Sequence, residues 1–117
     1  MVNRNGAKGS SFERLIADYL RDNVSEFIDR RVKTGAKDKG DIANWRIGRH
    51  RLVVECKTVK AMNLAGWVTE AQEEALNDDA IAGIVIHKRV KKGQPGDQYV
   101  TLTLNDFLNI LAAAGGN

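Results

Sequence analysis

The segment Ala80–His87, Ala-Ile-Ala-Gly-Ile-Val-Ile-His, constrains the fold more than any other part of this chain. It is almost wholly apolar, yet far shorter than the roughly 18 residues a membrane span needs. A run of that length and content suits a β-strand buried on both faces. Arg51–Val59 reads as another strand, with Leu52, Val54 and Cys56 on one side and Glu55 and Lys57 on the other. Asp41–Ile47 and a tight turn at Gly48-Arg49-His50 would make a hairpin with it. Glu26–Lys33 supplies a further strand through Phe27, Ile28 and Val32, and Gln98–Leu102 resembles an edge strand.

Three segments have helical period. Phe12, Leu15, Ile16, Tyr19 and Leu20 fall at i, i+3, i+4, i+7 and i+8, one apolar stripe. Ser10 with Glu13 matches a capping box, so this helix is expected to start near Ser10 or Ser11, after a flexible arm over residues 1–9. Asn63–Asn77 places Leu64, Val68, Ala71 and Ala75 on one face, with Trp67 beside them. Leu104–Ala114 forms a closing helix, capped by Asn105 and ended by Gly115-Gly116. The order α-β-β-β-α-β-β-α predicts an α/β fold, a mixed β-sheet flanked by helices. At 117 residues the chain holds one such domain, 1–117.

Composition excludes several classes. Charged residues at 28% and hydrophobic ones at 43% fit a globular chain rather than a disordered one. A single cysteine, Cys56, makes neither an internal disulfide nor a zinc cluster, and Met1–Gly6 lacks the apolar core of a signal peptide. A cytoplasmic protein without membrane segments is expected. Net charge is +3, but Arg30–Lys60 holds ten bases against three acids, a local balance of +7, while the rest has eight bases against twelve acids, −4. Such asymmetry marks the place where a polyanion would dock.

That basic stretch contains Gly40-Asp41 and Val53-Val54-Glu55-Cys56-Lys57. Antiparallel pairing returns Asp41 to the far end of its partner strand, across from about residue 57 if residues 48–50 form the turn. Two carboxylates and an ammonium then converge, although fourteen residues separate Asp41 from Glu55. Mg²⁺ prefers oxygen ligands and usually binds through one or two carboxylates plus substrate phosphate. Such an ion acidifies water and offsets charge on phosphate oxygens. Lys57 would orient or deprotonate the water, or stabilise charge, with a pKa expected to be depressed beside a cation. A turn aspartate and a same-face Glu55–Lys57 ion pair would explain the same residues. The apolar flanks of Glu55 argue against that, because an isolated buried pair is costly.

In order and spacing, Gly40-Asp41 and Glu55-Cys56-Lys57, with Glu13 in Phe12-Glu13-Arg14-Leu15, resemble the PD-(D/E)xK nuclease superfamily over about residues 8–90. Within it the chain is most similar to the archaeal-type Holliday-junction resolvases, small dimeric enzymes also found in viruses. The resemblance implies a restriction-endonuclease-like domain, an α-β-β-β-α-β core followed here by a C-terminal strand and helix. It implies Mg²⁺, with Mn²⁺ able to substitute, held by Asp41, Glu55, the carbonyl of Cys56 and, directly or through water, Glu13. Lys57 would be the catalytic cation. Gln72 matches a residue that contacts the lysine or the backbone in related nucleases. A polar helix flank explains Gln72 as well, and the capping box explains Glu13. Gly40 stands where the wider superfamily has Pro.

The implied reaction is hydrolysis of DNA phosphodiesters, as paired nicks in a four-way junction by a homodimer, since two nicks need two sites. A virus-encoded enzyme acting in the host cytoplasm is one setting. Lys8, Arg30, Arg31, Lys33, Lys37, Lys39, Arg49 and Lys60 are the expected backbone contacts. Aromatics are few and Trp67 reads as core, so shape recognition fits better than stacking on single strands. His50 and His87 match no nucleophile motif, and Cys56 reads as a small buried hydrophobe. A nuclease for flaps or duplex ends, and a non-catalytic basic DNA-binding module, remain the alternatives.

Overall fold

The computed structural model describes residues 4–33, 35, 37–58 and 60–116, with side chains from residue 9 onward. The chain runs α1 (Arg4–Asn23), β1 (Asp29–Arg30), β2 (Ile42–Ala43), β3 (Arg46–Ile47), β4 (His50–Lys57), α2 (Leu64–Asn77), β5 (Ala82–His87), a short 3₁₀ turn (Pro95–Asp97), β6 (Tyr99–Thr101) and α3 (Leu104–Ala114). The sheet order is β1-β2-β4-β5-β6, with β3 paired to β4 outside that path. Strands β4 and β5 are parallel, from Leu52 beside Ala82 to Lys57 beside His87, and α2 is the crossover between them. Every other pairing is antiparallel, so the mixed sheet expected from sequence is what forms. All six residues of β5 are buried.

The two sheet faces carry separate apolar clusters. On one, Phe12, Ile16 and Leu20 of α1 pack against Ile42, Val54, Ile84 and Ile86. On the other, Trp67 and Ala71 of α2 pack against Val85. Each large apolar side chain so buried contributes about 1.5–3 kcal/mol. Gly83 lets α2 come close, because a Cβ there would lie 2.2 Å from the carbonyl oxygen of Ala71. This contact fixes α2, and everything α2 carries, at a set height over β4 and β5.

Four local expectations are corrected. Helix α1 begins at Arg4, so residues 4–9 are helical rather than a flexible arm and Ser10 is interior to the helix; residues 1–3 lie outside the described residues. Arg4, Ala7 and Lys8 are good helix formers, and no proline interrupts them. The cap of α3 is Thr103, whose hydroxyl accepts from the Asp106 N–H at 3.1 Å, not Asn105. The first strand shrinks to two residues.

The fourth concerns register. The turn has two residues, Gly48 (φ +60°) and Arg49, between the pairs Arg46–Arg51 and Ile47–His50. Asn44, at φ +70°, then inserts one extra residue and separates β2 from β3. Ile42 therefore faces Val54, and Asp41 lies beside Glu55 rather than residue 57. Asparagine tolerates that left-handed conformation better than most residues.

Candidate metal centre

Gly40 delivers Asp41 to this position. Its φ of +92° lies outside the range of proline, and a Cβ would approach the Val54 carbonyl oxygen to 2.9 Å. The Asp41 N–H donates to that carbonyl at 2.8 Å. The buried Asp41 carboxylate accepts from the Cys56 N–H at Oδ2 (2.8 Å) and pairs with Lys33 Nζ at Oδ1 (3.2 Å). Burial disfavours the Lys33 ammonium, but the Asp41 charge outweighs it and raises the Lys33 pKa.

Glu55, on the α2 side of β4, is 3% exposed. Glu74 reaches the same space from α2 and is equally buried, with Glu70 one turn before it and Asp38 on the loop that precedes Gly40. One oxygen from each of Asp38, Glu55, Glu70 and Glu74 lies within 4.8 Å of the others. Opposite ligands of one ion stand about 4–5 Å apart, for Mg²⁺ at the short end and Ca²⁺ at the long end.

Glu55 Oε2 and both carboxylate oxygens of Glu74 are buried without a hydrogen-bond partner. A buried acceptor in that state costs free energy that a bound cation would offset. Without a cation the cluster resists ionisation. Burial first, then the neighbouring Asp41 and Glu74, push the Glu55 carboxyl up to about 11. Burial raises Glu74 to about 7 against the opposing effect of the neighbouring Glu55, with Asp38 and Glu70 adding to the rise. The donor set is all oxygen and concentrates negative charge, which fits a divalent metal ion.

Lys57 Nζ sits 3.0 Å from Glu70 Oε2. Burial lowers its pKa, but the Glu70 bond and the Glu55 charge raise it further, so the depression expected from sequence is not found in the metal-free protein. Burial, with Asp41 and Glu13 nearby, pushes the Cys56 thiol up and so disfavours its thiolate. The Cys56 N–H donates to the Asp41 carboxylate.

Other expected site residues scatter. Glu13 is half-buried and pairs with Arg30 at 3.2 Å; burial and Asp41 raise its pKa against that arginine, so it borders the cluster from α1. Gln72 turns away, with its amide 3.5 Å from the Thr103 hydroxyl, rather than toward Lys57. Asp38, Glu70 and Glu74 were not singled out from sequence. The signal lay in α2, where Glu74 falls seven residues after Trp67 and three after Ala71, an acid on the buried stripe.

Of the basic residues, Lys33, Lys37 and Lys39 line a cavity of about 240 Å³ together with Arg31 and Asp38, at the edge of the acidic cluster. Arg31 pairs with Asp78, which also engages Arg51. Arg49 lies in the turn before β4, six residues from Glu55 and so roughly 20 Å away. Lys60 is exposed beyond the other end of β4. The side chain of Lys8 lies outside the described residues. No helix of the described residues is long and apolar enough to cross a membrane. No protein-family model matches the chain, and no curated protein matches it.

Proposed function

We propose that this protein is a divalent-metal-dependent endodeoxyribonuclease of the PD-(D/E)xK type that cuts branched DNA, a four-way junction first, as a homodimer. The observation that carries the reading is the set of buried, unpartnered oxygens on Glu55 and Glu74, beside Asp41 and Lys57. Glu55 and Glu74 would hold the ion, with Asp38 and Glu70 closing the shell from the open side. Asp41 neighbours Glu55 outside that four-acid set, and each of its oxygens keeps a further lone pair. A divalent ion there would acidify water and offset charge on the phosphate oxygens.

The chain's own residues do the rest. Lys33, Lys37 and Lys39 bring the phosphate backbone to the cluster by charge, without reading sequence. Lys57, held protonated by Glu70, is better suited to stabilising an oxyanion than to removing a proton. Paired cuts need two sites, and α3 supports a dimer by exposing Leu104, Phe107, Leu108 and Leu111, next to exposed Val100 on β6.

The test is cleavage of a labelled four-way junction beside a linear duplex of the same sequence, in Mg²⁺ or EDTA, with Asp41→Asn and Glu55→Gln alongside. Paired nicks in the junction alone, lost in EDTA and in both variants, are expected. Metal-dependent cutting of both DNAs would keep the nuclease and remove the junction preference. Binding without cutting would replace the reading with a non-catalytic DNA-binding module.

A further inference from the structure

A second cavity, of about 460 Å³, opens past the carboxyl ends of β4 and β5. Ligands of open α/β sheets gather at such strand ends. Its lining includes four bases, Lys60, Lys88, Arg89 and Lys91, and no acid. Two of these are engaged in the fold. Lys88 Nζ donates to the carbonyls of Arg89 and Lys92 (2.7 Å each), and Arg89 donates to the Asp97 carbonyl while its guanidinium lies 4.3 Å from the Tyr99 ring centre. Lys60 and Lys91 are exposed and pair with no acid among the described residues.

The other walls are aromatic or soft. Trp67 and His87 form the floor with ring centres 5.8 Å apart, and His87 lies 6.0 Å from Tyr99. His87 Nε2 is fixed by the Thr101 hydroxyl at 2.8 Å. Tyr99 and Met62 stay 54% and 63% exposed at the mouth. Exposed apolar and aromatic surface beside unpaired ammonium groups suits a ligand with one flat ring and one anionic group.

The register locates this cavity relative to the acids. His87 pairs with Lys57 in the parallel ladder, and Glu55 lies two residues earlier on the same face, about 7 Å along the strand. We infer that the cavity receives one unpaired nucleotide, its base against Tyr99 and Met62 and its phosphate on Lys60 and Lys91. On the nuclease reading, that nucleotide neighbours the phosphate at the acidic cluster. The preferred substrate is then DNA in which a base next to the cut is unstacked, as at a branch point, and not smooth duplex.

The test reads binding alone. ¹⁵N-labelled protein in EDTA is titrated with deoxyadenosine monophosphate, with deoxyadenosine and with inorganic phosphate, following the Trp67 indole and the amides of His87, Lys91 and Tyr99. The monophosphate should move these signals at roughly tenfold lower concentration than either fragment, and Tyr99→Ala should weaken it roughly tenfold. Tyr99 is on an exposed edge strand, so the fold should survive; Lys60→Glu with Lys91→Glu is a second variant that leaves the aromatic wall intact and should weaken binding as well. Equal binding of phosphate and nucleotide, or nucleotide shifts elsewhere or none, would overturn the inference. Since no cleavage is read, that failure would leave the nuclease reading standing. Junction cleavage that fails while the titration succeeds would remove the nuclease alone.

Discussion

Glu74→Gln should remove a pH-dependent instability from the metal-free protein. Glu74 is buried with both oxygens unpartnered, and its pKa stands at about 7 against an ordinary 4.5. The folded state therefore holds this proton more tightly than the unfolded chain does. The stability so conferred is fully present below about pH 4.5 and is lost as pH rises through about 7. At about 1.4 kcal/mol per pKa unit, the loss is about 3 kcal/mol, or roughly 10 °C in Tm for a domain of this size. Glu55, pushed to about 11, also holds a proton that the unfolded chain gives up above about pH 4.5, so it adds its own fall across this window, and Glu74→Gln should remove only part of the slope. Thermal unfolding in EDTA from about pH 5 to about pH 8 should show both proteins falling, with Glu74→Gln falling less steeply than the wild type. Saturating Mg²⁺ should raise the wild type at the alkaline end by mass action, and should not raise the variant. Parallel wild-type and variant curves, with metal or without, would refute the reasoning.

Three further outcomes are expected. Gly83→Ala should cost at least about 1–3 kcal/mol in urea unfolding, because its Cβ would meet the Ala71 carbonyl oxygen at 2.2 Å and backbone cannot step aside; an unchanged midpoint would count against close packing of α2 on β5. Lys37→Gln with Lys39→Gln should weaken binding of all DNAs alike and reduce the log–log salt slope by about two; an unchanged slope would remove the loop from the DNA path. Leu108→Arg with Leu111→Arg should convert a dimer into a monomer in light scattering, since both side chains are about half exposed; a dimer that persists would move the interface off α3.

The sheet was legible because β5 is apolar at every position but its last and β4 carries the apolar run Leu52-Val53-Val54 at its buried centre, patterns that admit few other structures. Convergence of Asp41 with Glu55 was legible from hairpin logic, yet its register was not. One residue inserted at Asn44 and one fewer in the turn move the partner by two, and neither changes the pattern of apolar residues much. The start of α1 was missed because a capping box at Ser10–Glu13 is a local pattern that a longer helix simply runs through. Asp38, Glu70 and Glu74 became visible only once the fold set α2 over β4. In sequence, Glu70 and Glu74 are ordinary helix acids, and only the apolar neighbours of Glu74 set it apart. Gln72, two residues from Glu70, turns toward Thr103 instead, because successive positions on a helix face different directions.

The proposed chemistry requires a divalent cation between Glu55 and Glu74. Crystals of the protein grown with Mn²⁺, with anomalous scattering recorded at the manganese edge, test this most directly. A peak bonded to oxygens of both Glu55 and Glu74, and absent in Glu74→Gln, is the expected result. No peak there at saturating Mn²⁺, or a peak bonded to neither carboxylate, would contradict it.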